Sequence, residues 1–275
     1  MFYNFHLQDE PMDSIDISKN IDHWNKRVAT HMFSKMYNLD AFLGGKTSLN
    51  KTELEELGSV KGKSLCHLQC HFGQDTLSWA REGAKVTGLD FSDLAIEAAK
   101  DLSIQTGIPA KFVCANVLDA AKTIDSKFDS VFTSYGTIGW IPELETWAKQ
   151  IYQLLNQNGV FYMVDFHPVV WMFNNDLNEI EYSYFNVQKI EETEIGTYAD
   201  KEADIVSQSV GWNHPISEIV SALINAGLKL EFIHEFGFTW YDIFPDLEPR
   251  TEGGFAHKKY GEKMPMMYSI KCTKL

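Results

Sequence analysis

Hydrophobic and polar positions along residues 63–167 switch repeatedly between two spacings. Five short β-rich runs ("KSLCHL", "KVTGLD", "AKFVCANV", "FDSVFTSYG" and "VFYMVDF") have the length and residue types of buried strands. Between them lie stretches with helical spacing, most clearly "ELETWAKQIYQLL", in which Leu144, Trp147, Ile151 and Leu154 share one face. This alternation predicts an α/β fold with a parallel sheet that is covered by helices on both sides.

Local signals place the ends of several helices. The run "QDTLSWAREGA" predicts a helix from about residue 75 to residue 82, and Gly83 ends it. Ser92 is a typical N-cap for the next helix, and Gly107 is a typical C-terminal stop. In "NQNG" a turn with a positive φ is expected at Asn158-Gly159.

The flanking segments complete one predicted domain over residues 1–275. Residues 1–60 are expected to form a helical extension, and residues 61–167 the α/β core. Residues 168–210 carry aromatic and acidic residues without a long period, which suits an inserted cap over the sheet edge. Residues 211–275 predict a helix and two closing strands.

The strand ends define where a ligand would bind. Right-handed crossovers bring the carboxyl ends of parallel strands to one edge, where open α/β sheets bind their ligands. The residues at these ends are Gln69 to Gly73, Asp90, Asn116, Ser134, Tyr135 and Asp165 to His167.

The stretch "SLCHLQCHFGQDT" contains two Cys-His pairs and raises the question of a metal site. Its spacing does not fit C-x-x-C-H haem attachment, and Cys114 and Cys272 stand alone without a second close ligand. On a strand, alternate residues point to opposite sides, so each cysteine would point away from its neighbouring histidine. We therefore expect no metal, and we interpret the cysteines as small core residues: Cys66, Cys70, Cys114 and Cys272.

The composition of the chain limits the classes of partner that it is expected to bind. The 275-residue chain is 44% hydrophobic, with a formal net charge of -14 and a pI near 5.0, so phosphate backbones would repel it. We expect no nucleic-acid partner. No apolar run is long enough to span a bilayer, no secretory signal is evident, and four cysteines give no disulfide framework. A cytoplasmic monomer or homodimer without membrane contact is expected.

Residues 63–167 resemble the core of the class I S-adenosylmethionine-dependent methyltransferases. In that family the first strand runs into a turn that commonly reads hydrophobic-Asp-hydrophobic-Gly-Cys-Gly-x-Gly. The corresponding segment here is "HLQCHFG": His67 stands at the acid, Gln69 and His71 replace two glycines, and Cys70 and Gly73 remain. The chain is also similar over nearly its whole length, including "WNHPISEIVSALINAGL", to an uncharacterised subfamily with this loop.

The resemblance implies a Rossmann-like fold with a mostly parallel seven-stranded sheet, an antiparallel last strand, and S-adenosyl-L-methionine as cofactor. Asp90 would bind the ribose hydroxyls, Phe91 would pack on the adenine, and Asn116-Val117 would read the adenine amino group. The remaining cofactor-binding candidates are Gln69, Cys70, His71, Gly73, Asp75, Thr76, Ser92, Ser134 and Tyr135.

The methyl acceptor is expected to be a small molecule. The end of the fourth strand, "TSYGTIGWIP", lacks the Asn/Asp-Pro-Pro-aromatic signature of methyltransferases that act on base amino groups. His167 is the candidate general base, with His214 and His31 as weaker candidates, although a hydrogen-bonded structural role is commoner for such histidines. The candidate acceptor pocket comprises Tyr37, Trp140, Trp171, Trp212 and His214.

Two other functions remain open from the sequence. A protein that binds S-adenosylmethionine without transferring methyl would use the same binding residues. A nicotinamide-dependent oxidoreductase would need G-x-G-x-x-G, which is absent, and a parallel sixth strand. In the methyltransferase interpretation, residues 168–210 would be a mobile lid that selects the acceptor.

Overall fold

A computed structural model describes residues 14–275 of the chain. Its helices are α1 (Ser14–Phe33), α2 (Leu39–Leu43), α3 (Lys51–Leu57), α4 (Gln74–Arg81), α5 (Asp93–Thr106), α6 (Ala120–Thr123), α7 (Leu144–Leu154) and α8 (Ile216–Asn225). Its strands are β1 (Ser64–Leu68), β2 (Lys85–Asp90), β3 (Lys111–Cys114), β4 (Phe128–Ser134), β5 (Leu155–Phe166), β6 (Ile190–Ile195), β7 (Val206–Gly211), β8 (Leu228–Phe236), β9 (Leu247–Pro249), β10 (Phe255–His257) and β11 (Met267–Lys274).

Seven strands form one sheet in the order β3-β2-β1-β4-β5-β11-β8. The first five pair in parallel, whereas β11 pairs antiparallel with both β5 and β8. The reversed strand therefore lies inside the sheet, and β8 forms the edge. This confirms the predicted α/β fold with a mostly parallel seven-stranded sheet and an antiparallel last strand.

Helices cover both faces of the sheet. The side chains of β1 show this, because alternate residues are buried against helices on opposite faces. Cys66 and Leu68 face the cluster that includes Trp147 of α7 and Leu223 of α8. Leu65 faces the opposite side, in a cluster with Trp79 of α4. The predicted alternation holds for β1 and ends at Leu68, because the chain then turns into a loop instead of continuing as a strand.

The segment predicted as an irregular cap contains a regular antiparallel hairpin, β6–β7, which packs against α1. Arg27 of α1 donates to Glu194 of β6 at 2.9 Å and to Ser207 of β7 at 2.5 Å. Asn20 binds both the N–H and the C=O of Val210, at 2.9 and 2.8 Å. These bonds join the N-terminal extension and the hairpin into one layer. No helix among residues 14–275 is long and apolar enough to cross a membrane.

Gly73 ends the loop after β1 and precedes α4. Its φ is +77°, and a Cβ atom built on it would lie 2.7 Å from the ring of Phe112 and 3.0 Å from Ala99. The glycine therefore serves close packing between this loop, β3 and α5, as well as a left-handed backbone.

Replacing Gly73 with alanine should lower the free energy of unfolding by about 2–4 kcal/mol, because backbone strain and overpacking add. Gly107→Ala is the matched control: Gly107 has a φ of +67°, and a Cβ atom built on it would have nothing within 4 Å, so only about 1 kcal/mol should be lost. Urea denaturation of both variants measures the difference. Equal losses would show that the contact with Phe112 is unimportant.

Candidate active site

The loop after β1 adopts a glycine-like conformation without the usual glycines. Gln69 and His71 have φ values of 56° and 49°, in the left-handed region. Long-range bonds hold this shape: Cys70 N–H donates to Leu89 C=O at 2.9 Å, and the Gln69 side chain donates to Thr137 C=O at 2.9 Å. The loop is therefore fixed by its neighbours on β2 and after β4.

Asp90, at the end of β2, holds the other side of this loop. Its carboxylate accepts the N–H of His71 at 2.8 Å and the N–H of Ser92 at 2.9 Å. Burial raises the pKa of Asp90 to about 6, against the opposing effect of these bonds. Each carboxylate oxygen can accept a second hydrogen bond, so the group can still bind ligand hydroxyls.

A narrow cleft opens beside Asp90 at the carboxyl edge of the sheet. It is lined by Gln69, Phe91, Asn116, Val117, Leu118, Ile141 and Pro142, by Trp140 from the turn after β4, and by Ile17 and Asn20 of α1. Asn116 caps the turn that follows β3, because its Oδ1 accepts the N–H of Leu118 at 2.9 Å. The buried Oε1 of Gln69 has no hydrogen-bond partner within residues 14–275, so the cleft wall includes an unsatisfied acceptor.

Three predicted cofactor residues use their side chains for packing or capping instead. Cys70 lies in the core cluster with Phe112, and its sulfur is close to Gly88. Thr76 hydroxyl is 2.8 Å from Nδ1 of His67. Ser92 caps α5 through the N–H of Ala95 and donates to Asn25 of α1 at 2.5 Å. The side chains of these three residues are therefore buried within the protein.

His67 occupies the position at which the methyltransferase turn carries an acid. Burial lowers its pKa to about 3, so the imidazole is neutral near pH 7. The first turn of α4 supplies a carboxylate nearby in sequence, that of Asp75. It accepts hydrogen bonds from Ser48 at 2.6 Å and from Ser134 at 3.3 Å. Burial raises the pKa of Asp75.

The turn after β4 is organised by a second buried acid, Asp165 of β5. Its carboxylate accepts the backbone N–H groups of Gly136, of Thr137 at 3.0 Å and of Ile138 at 3.1 Å. Burial raises the pKa of Asp165, while these bonds act in the opposite direction. This turn carries Trp140 and therefore positions one wall of the cleft.

A buried polar cluster lies between α3 and the end of β4. Tyr135 hydroxyl donates to Glu53 at 2.9 Å, and Asn50 contacts Glu53 and the Tyr241 hydroxyl. Burial raises the pKa of Glu53 to about 8. The sequence "NKTE" carries an Asn-x-x-Glu capping-box signal that would have identified Glu53, whereas Tyr241 has no local signal.

A cluster of aromatic side chains joins α1, the loop after β1 and the β6–β7 hairpin. His31 Nδ1 lies 2.9 Å from His71 Nε2, and Tyr37 hydroxyl lies 2.6 Å from Tyr198 hydroxyl. Burial lowers the pKa of His31 to about 2 and that of His71 to about 3, so both rings are neutral near pH 7. Tyr198, between β6 and β7, was missed because nothing in its local sequence marks it.

The ring nitrogens of His167 and His214 are all within hydrogen-bond distance of neighbouring groups. His167 is buried, with Nε2 at 2.8 Å from Glu235 and Nδ1 accepting the N–H of Val169 at 3.2 Å. His214 is also buried and contacts Ile141 C=O at 2.6 Å through Nε2. This bonding favours a structural role for both, and a base role for His167 stays a prediction.

The predicted acceptor-pocket residues lie in different places. Trp140 is in the cleft beside Gln69, and its indole N–H donates to Gly136 C=O at 2.7 Å. Trp171 packs against Phe244, at a ring distance of 5.6 Å. Trp212 is bonded through its backbone N–H to Gly139 C=O. Tyr37 lies beside the ring of His71 in the loop.

The Cys-His pairs do not assemble a metal site. Within residues 14–275 no group of three or more His, Cys, Asp or Glu side chains is placed to hold a metal ion. The contact between His31 and His71 joins two neutral rings.

Comparison with known proteins identifies the central region. Residues 66–159 match the family model described as "Methyltransferase domain". An uncharacterized methyltransferase of Synechocystis is 29% identical over 133 residues, which cover 48% of this chain and 60% of that protein. A ubiquinone biosynthesis O-methyltransferase of Chromobacterium violaceum is 24% identical over 60% of this chain and 67% of its own length. The match thus spans less than two thirds of the first relative.

A solved structure has the same fold. A S-adenosylmethionine-dependent methyltransferase from Clostridium acetobutylicum superposes with a TM-score of 0.55 at 13% identity, over 94% of this chain and 98% of that one. Residues 66–159 match a methyltransferase domain. The chain has the fold of S-adenosylmethionine-dependent methyltransferases, as predicted.

The cleft of the methyltransferase domain fits this cofactor. It has an apolar wall at Phe91 and an unsatisfied acceptor on Gln69, and the carboxylate of Asp90 directly precedes Phe91 in the chain. These groups suit the adenine, a further donor and the ribose hydroxyls, respectively. The individual contacts at Gln69, Phe91 and Asn116 stay predictions.

Asp90→Ala should weaken binding of S-adenosylhomocysteine by about 1.5–3 kcal/mol, because the hydroxyls lose bonds to a charged acceptor. The same change frees the N–H groups of His71 and Ser92, so a lower unfolding temperature is also expected. Titration calorimetry on the folded variant measures the affinity. An unchanged affinity would remove Asp90 from the cofactor site.

Proposed function

We propose that this chain transfers a methyl group from S-adenosylmethionine to a small molecule by in-line displacement. The observation that carries the proposal is the cleft at the carboxyl edge, which is lined by Gln69, Phe91 and Asn116 of the matched region and lies next to the loop that Asp90 holds. The relatives named as methyltransferases support the activity. A relative named as an O-methyltransferase suggests an oxygen acceptor as the first to test.

The net charge of the chain and the layer that covers the loop both support a small molecule as the methyl acceptor. The chain has a formal net charge of -14, which disfavours nucleic acid. The layer formed by α1 and the β6–β7 hairpin lies over the loop, and Tyr37 and Tyr198 close their hydroxyls to 2.6 Å there. A bulky polymer would have to displace this layer, whereas a small molecule needs only a local opening.

The protein's part in the reaction is alignment and exclusion of water. When bound, the cofactor supplies an electrophilic methyl group on a sulfonium. Asp90 and the loop would orient it, and the aromatic side chains of Tyr37, Tyr198 and Tyr241 would shield the transfer from solvent. Both ring nitrogens of His167 are bonded, so an acceptor that needs no strong base fits this site best.

A ligand panel tests the proposal directly. S-adenosylhomocysteine should raise the unfolding temperature, whereas NAD should not, because only the first fits a methyltransferase cleft. Turnover is then sought with phenols, carboxylic acids and amines by following S-adenosylhomocysteine release. Stabilisation by NAD alone would support an oxidoreductase. Stabilisation by S-adenosylhomocysteine with no turnover across the panel would support a protein that binds the cofactor without transferring methyl.

We further propose that residues 168–210 act as the cap that admits the acceptor. The segment leaves β5 at the ligand edge and returns through β7, which is bonded to α1 through Asn20 and Arg27. Closing and opening therefore involve α1 and the hairpin together. Tyr198, at the tip of this hairpin, supplies the contact with Tyr37.

Hydrogen exchange tests the cap. Amide protection across β6 and β7 should rise when S-adenosylhomocysteine binds, and α1 should gain protection in parallel because the two share side-chain bonds. The strands β1 and β4 serve as internal controls, since their protection should change little. Slow exchange in the hairpin that does not respond to ligand would make this segment a fixed part of the fold.

A further inference from the structure

We propose that the hydroxyl of Tyr135 takes the proton from a phenolic methyl acceptor and passes its own proton to the buried carboxylate of Glu53. The inference rests on the proposed function and deepens it, because it names the class of acceptor and the groups that receive its proton. Tyr135 is the residue that would touch the acceptor. Glu53 acts through Tyr135 and is therefore a positioning residue that also holds the proton.

The Tyr135 hydroxyl connects the carboxyl edge of the sheet to a buried carboxylate. It donates to Oε2 of Glu53 at 2.9 Å. Tyr135 is partly exposed and directly follows the last residue of β4, whereas Glu53 of α3 is 0% exposed. A proton that reaches the hydroxyl from the edge can therefore be taken up by a carboxylate that is itself closed off from solvent.

The capping role of Glu53 uses only one of its two carboxylate oxygens. Oε1 accepts the backbone N–H of Asn50 at 2.7 Å and its side-chain Nδ2 at 3.2 Å, which forms the capping box of α3. Oε2 is the oxygen that accepts the Tyr135 hydroxyl. A capping box requires neither a tyrosine partner nor burial of the acid, so the cap leaves the Tyr135–Glu53 bond unexplained.

Glu53 has no cation to balance its charge, unlike the two other acids near the end of α3. Glu55 pairs with Lys51 at 3.7 Å, and Glu56 pairs with His234 at 2.7 Å. Within residues 14–275 no salt bridge includes Glu53. A buried carboxylate without a cation binds a proton more readily than an exposed one, which is the property that a proton acceptor needs.

The titratable groups that face Glu53 leave it as the proton acceptor of this cluster. Burial raises the pKa of Glu53 to about 8, and the charge of Asp75 in α4 adds to this effect. The other groups are three tyrosines, and burial raises the pKa of each, so they stay protonated: Tyr135, Tyr162 of β5 and Tyr241 after β8. A carboxylate with a pKa near the working pH is well suited to general base catalysis.

Tyr135 occupies a strained position in the turn that also forms a wall of the cleft. Its φ is 29°, in the left-handed region, and its N–H donates to Val164 C=O at 2.8 Å. Strained residues of this kind are concentrated at functional sites. The same turn continues to Trp140, which lines the narrow cleft, whereas Tyr135 does not line it. An acceptor at Tyr135 would therefore leave the cleft itself to the cofactor.

The surroundings of Tyr135 favour a phenol over the other acceptors of the ligand panel. The rings of Tyr241 and Phe166 lie 4.9 and 5.8 Å from the ring of Tyr135 and offer faces to an aromatic acceptor. A carboxylic acid is already ionised near pH 7 and needs no base, whereas a phenol with a pKa of about 10 does. The O-methyltransferase among the relatives favours oxygen over an amine nitrogen.

The proposed transfer balances in atoms and in charge. The phenol oxygen forms a bond to the methyl carbon while the bond from that carbon to the sulfonium sulfur breaks. The phenol proton moves to the Tyr135 oxygen, and the Tyr135 proton moves to Oε2 of Glu53. The products are a methyl ether, S-adenosylhomocysteine and protonated Glu53, which returns its proton to solvent before the next turnover.

A purely structural role for the Tyr135–Glu53 bond is the competing explanation, and α3 contains a matched comparison. Tyr162 donates to Oε2 of Glu56 at 2.8 Å, which is the same kind of bond on the same helix. Tyr162 pairs with Phe132 inside the sheet, before β4 reaches its carboxyl end. A structural role predicts that loss of either bond lowers stability and leaves the pH dependence of the reaction unchanged.

The experiment measures kcat/KM between about pH 6 and pH 10 with phenols as acceptors, catechol included. For wild type the value should rise about tenfold per pH unit up to about pH 8 and then level off, because the carboxylate form of Glu53 is required. In Glu53→Gln and in Tyr135→Phe it should fall about 100-fold or more, and the break near pH 8 should disappear. The double variant should be no slower than the slower single variant, since the two residues act as a unit.

Tyr162→Phe and Glu56→Gln are the matched controls and should keep the wild-type pH profile. Titration calorimetry with S-adenosylhomocysteine gives a second readout, because its affinity should stay within about threefold of wild type in every variant. Circular dichroism establishes folding, and Tyr135→Phe still tests the relay should Glu53→Gln not fold.

Three results would overturn the relay alone. These are a folded Glu53→Gln or Tyr135→Phe variant with the wild-type pH profile, the same loss in the control variants, and turnover of amines or carboxylic acids but of no phenol. Binding of S-adenosylhomocysteine without turnover of any acceptor in the panel would overturn the proposed function as well.

Discussion

The carboxylate of Asp90 is the interaction on which the candidate site depends. It ties the end of β2 to the N–H of His71 in the loop and to the N–H of Ser92 at the start of α5. Left-handed backbone at a residue other than glycine costs of order 1–3 kcal/mol. Because Gln69 and His71 both adopt it, the loop keeps its shape only through bonds to other elements. The carboxylate that we propose as the acceptor of the ribose hydroxyls is therefore also the group that stabilises the loop.

The fold could be predicted where the signals are local or periodic. Strand and helix spacings predicted the alternating elements of the core, and Ser92 and Gly107 cap α5 as expected. Asn158 has the predicted positive φ, but it lies within β5 instead of in a turn before that strand, and Gly159 beside it has no positive φ. The β6–β7 hairpin could not be predicted, since its strands are stabilised by bonds from α1, such as Arg27 to Glu194, which no local pattern encodes.

The residues of the candidate site could likewise be predicted only where a local signal or spacing marks them. Spacing from the loop identified the acid at the end of β2 and the residue that follows it, and the cleft is lined by Phe91 and Asn116. Spacing could not tell that Cys70 and Thr76 turn their side chains into the core. Tyr198 and Tyr241 reach the site from distant segments, so only the three-dimensional structure brings them near Tyr37 and Asn50.

The balance of charge at the carboxyl edge argues for a cationic ligand over a phosphate. A dinucleotide would need backbone N–H groups of the loop to bind its pyrophosphate. Here the N–H of His71 is taken by Asp90, and the N–H of Cys70 is taken by Leu89. The negative charge of the Asp90 carboxylate, which accepts the N–H of His71, would also repel a pyrophosphate. A sulfonium cofactor with an ammonium group meets this charge favourably, so the loss of the loop glycines and of its acid is compatible with the family's cofactor.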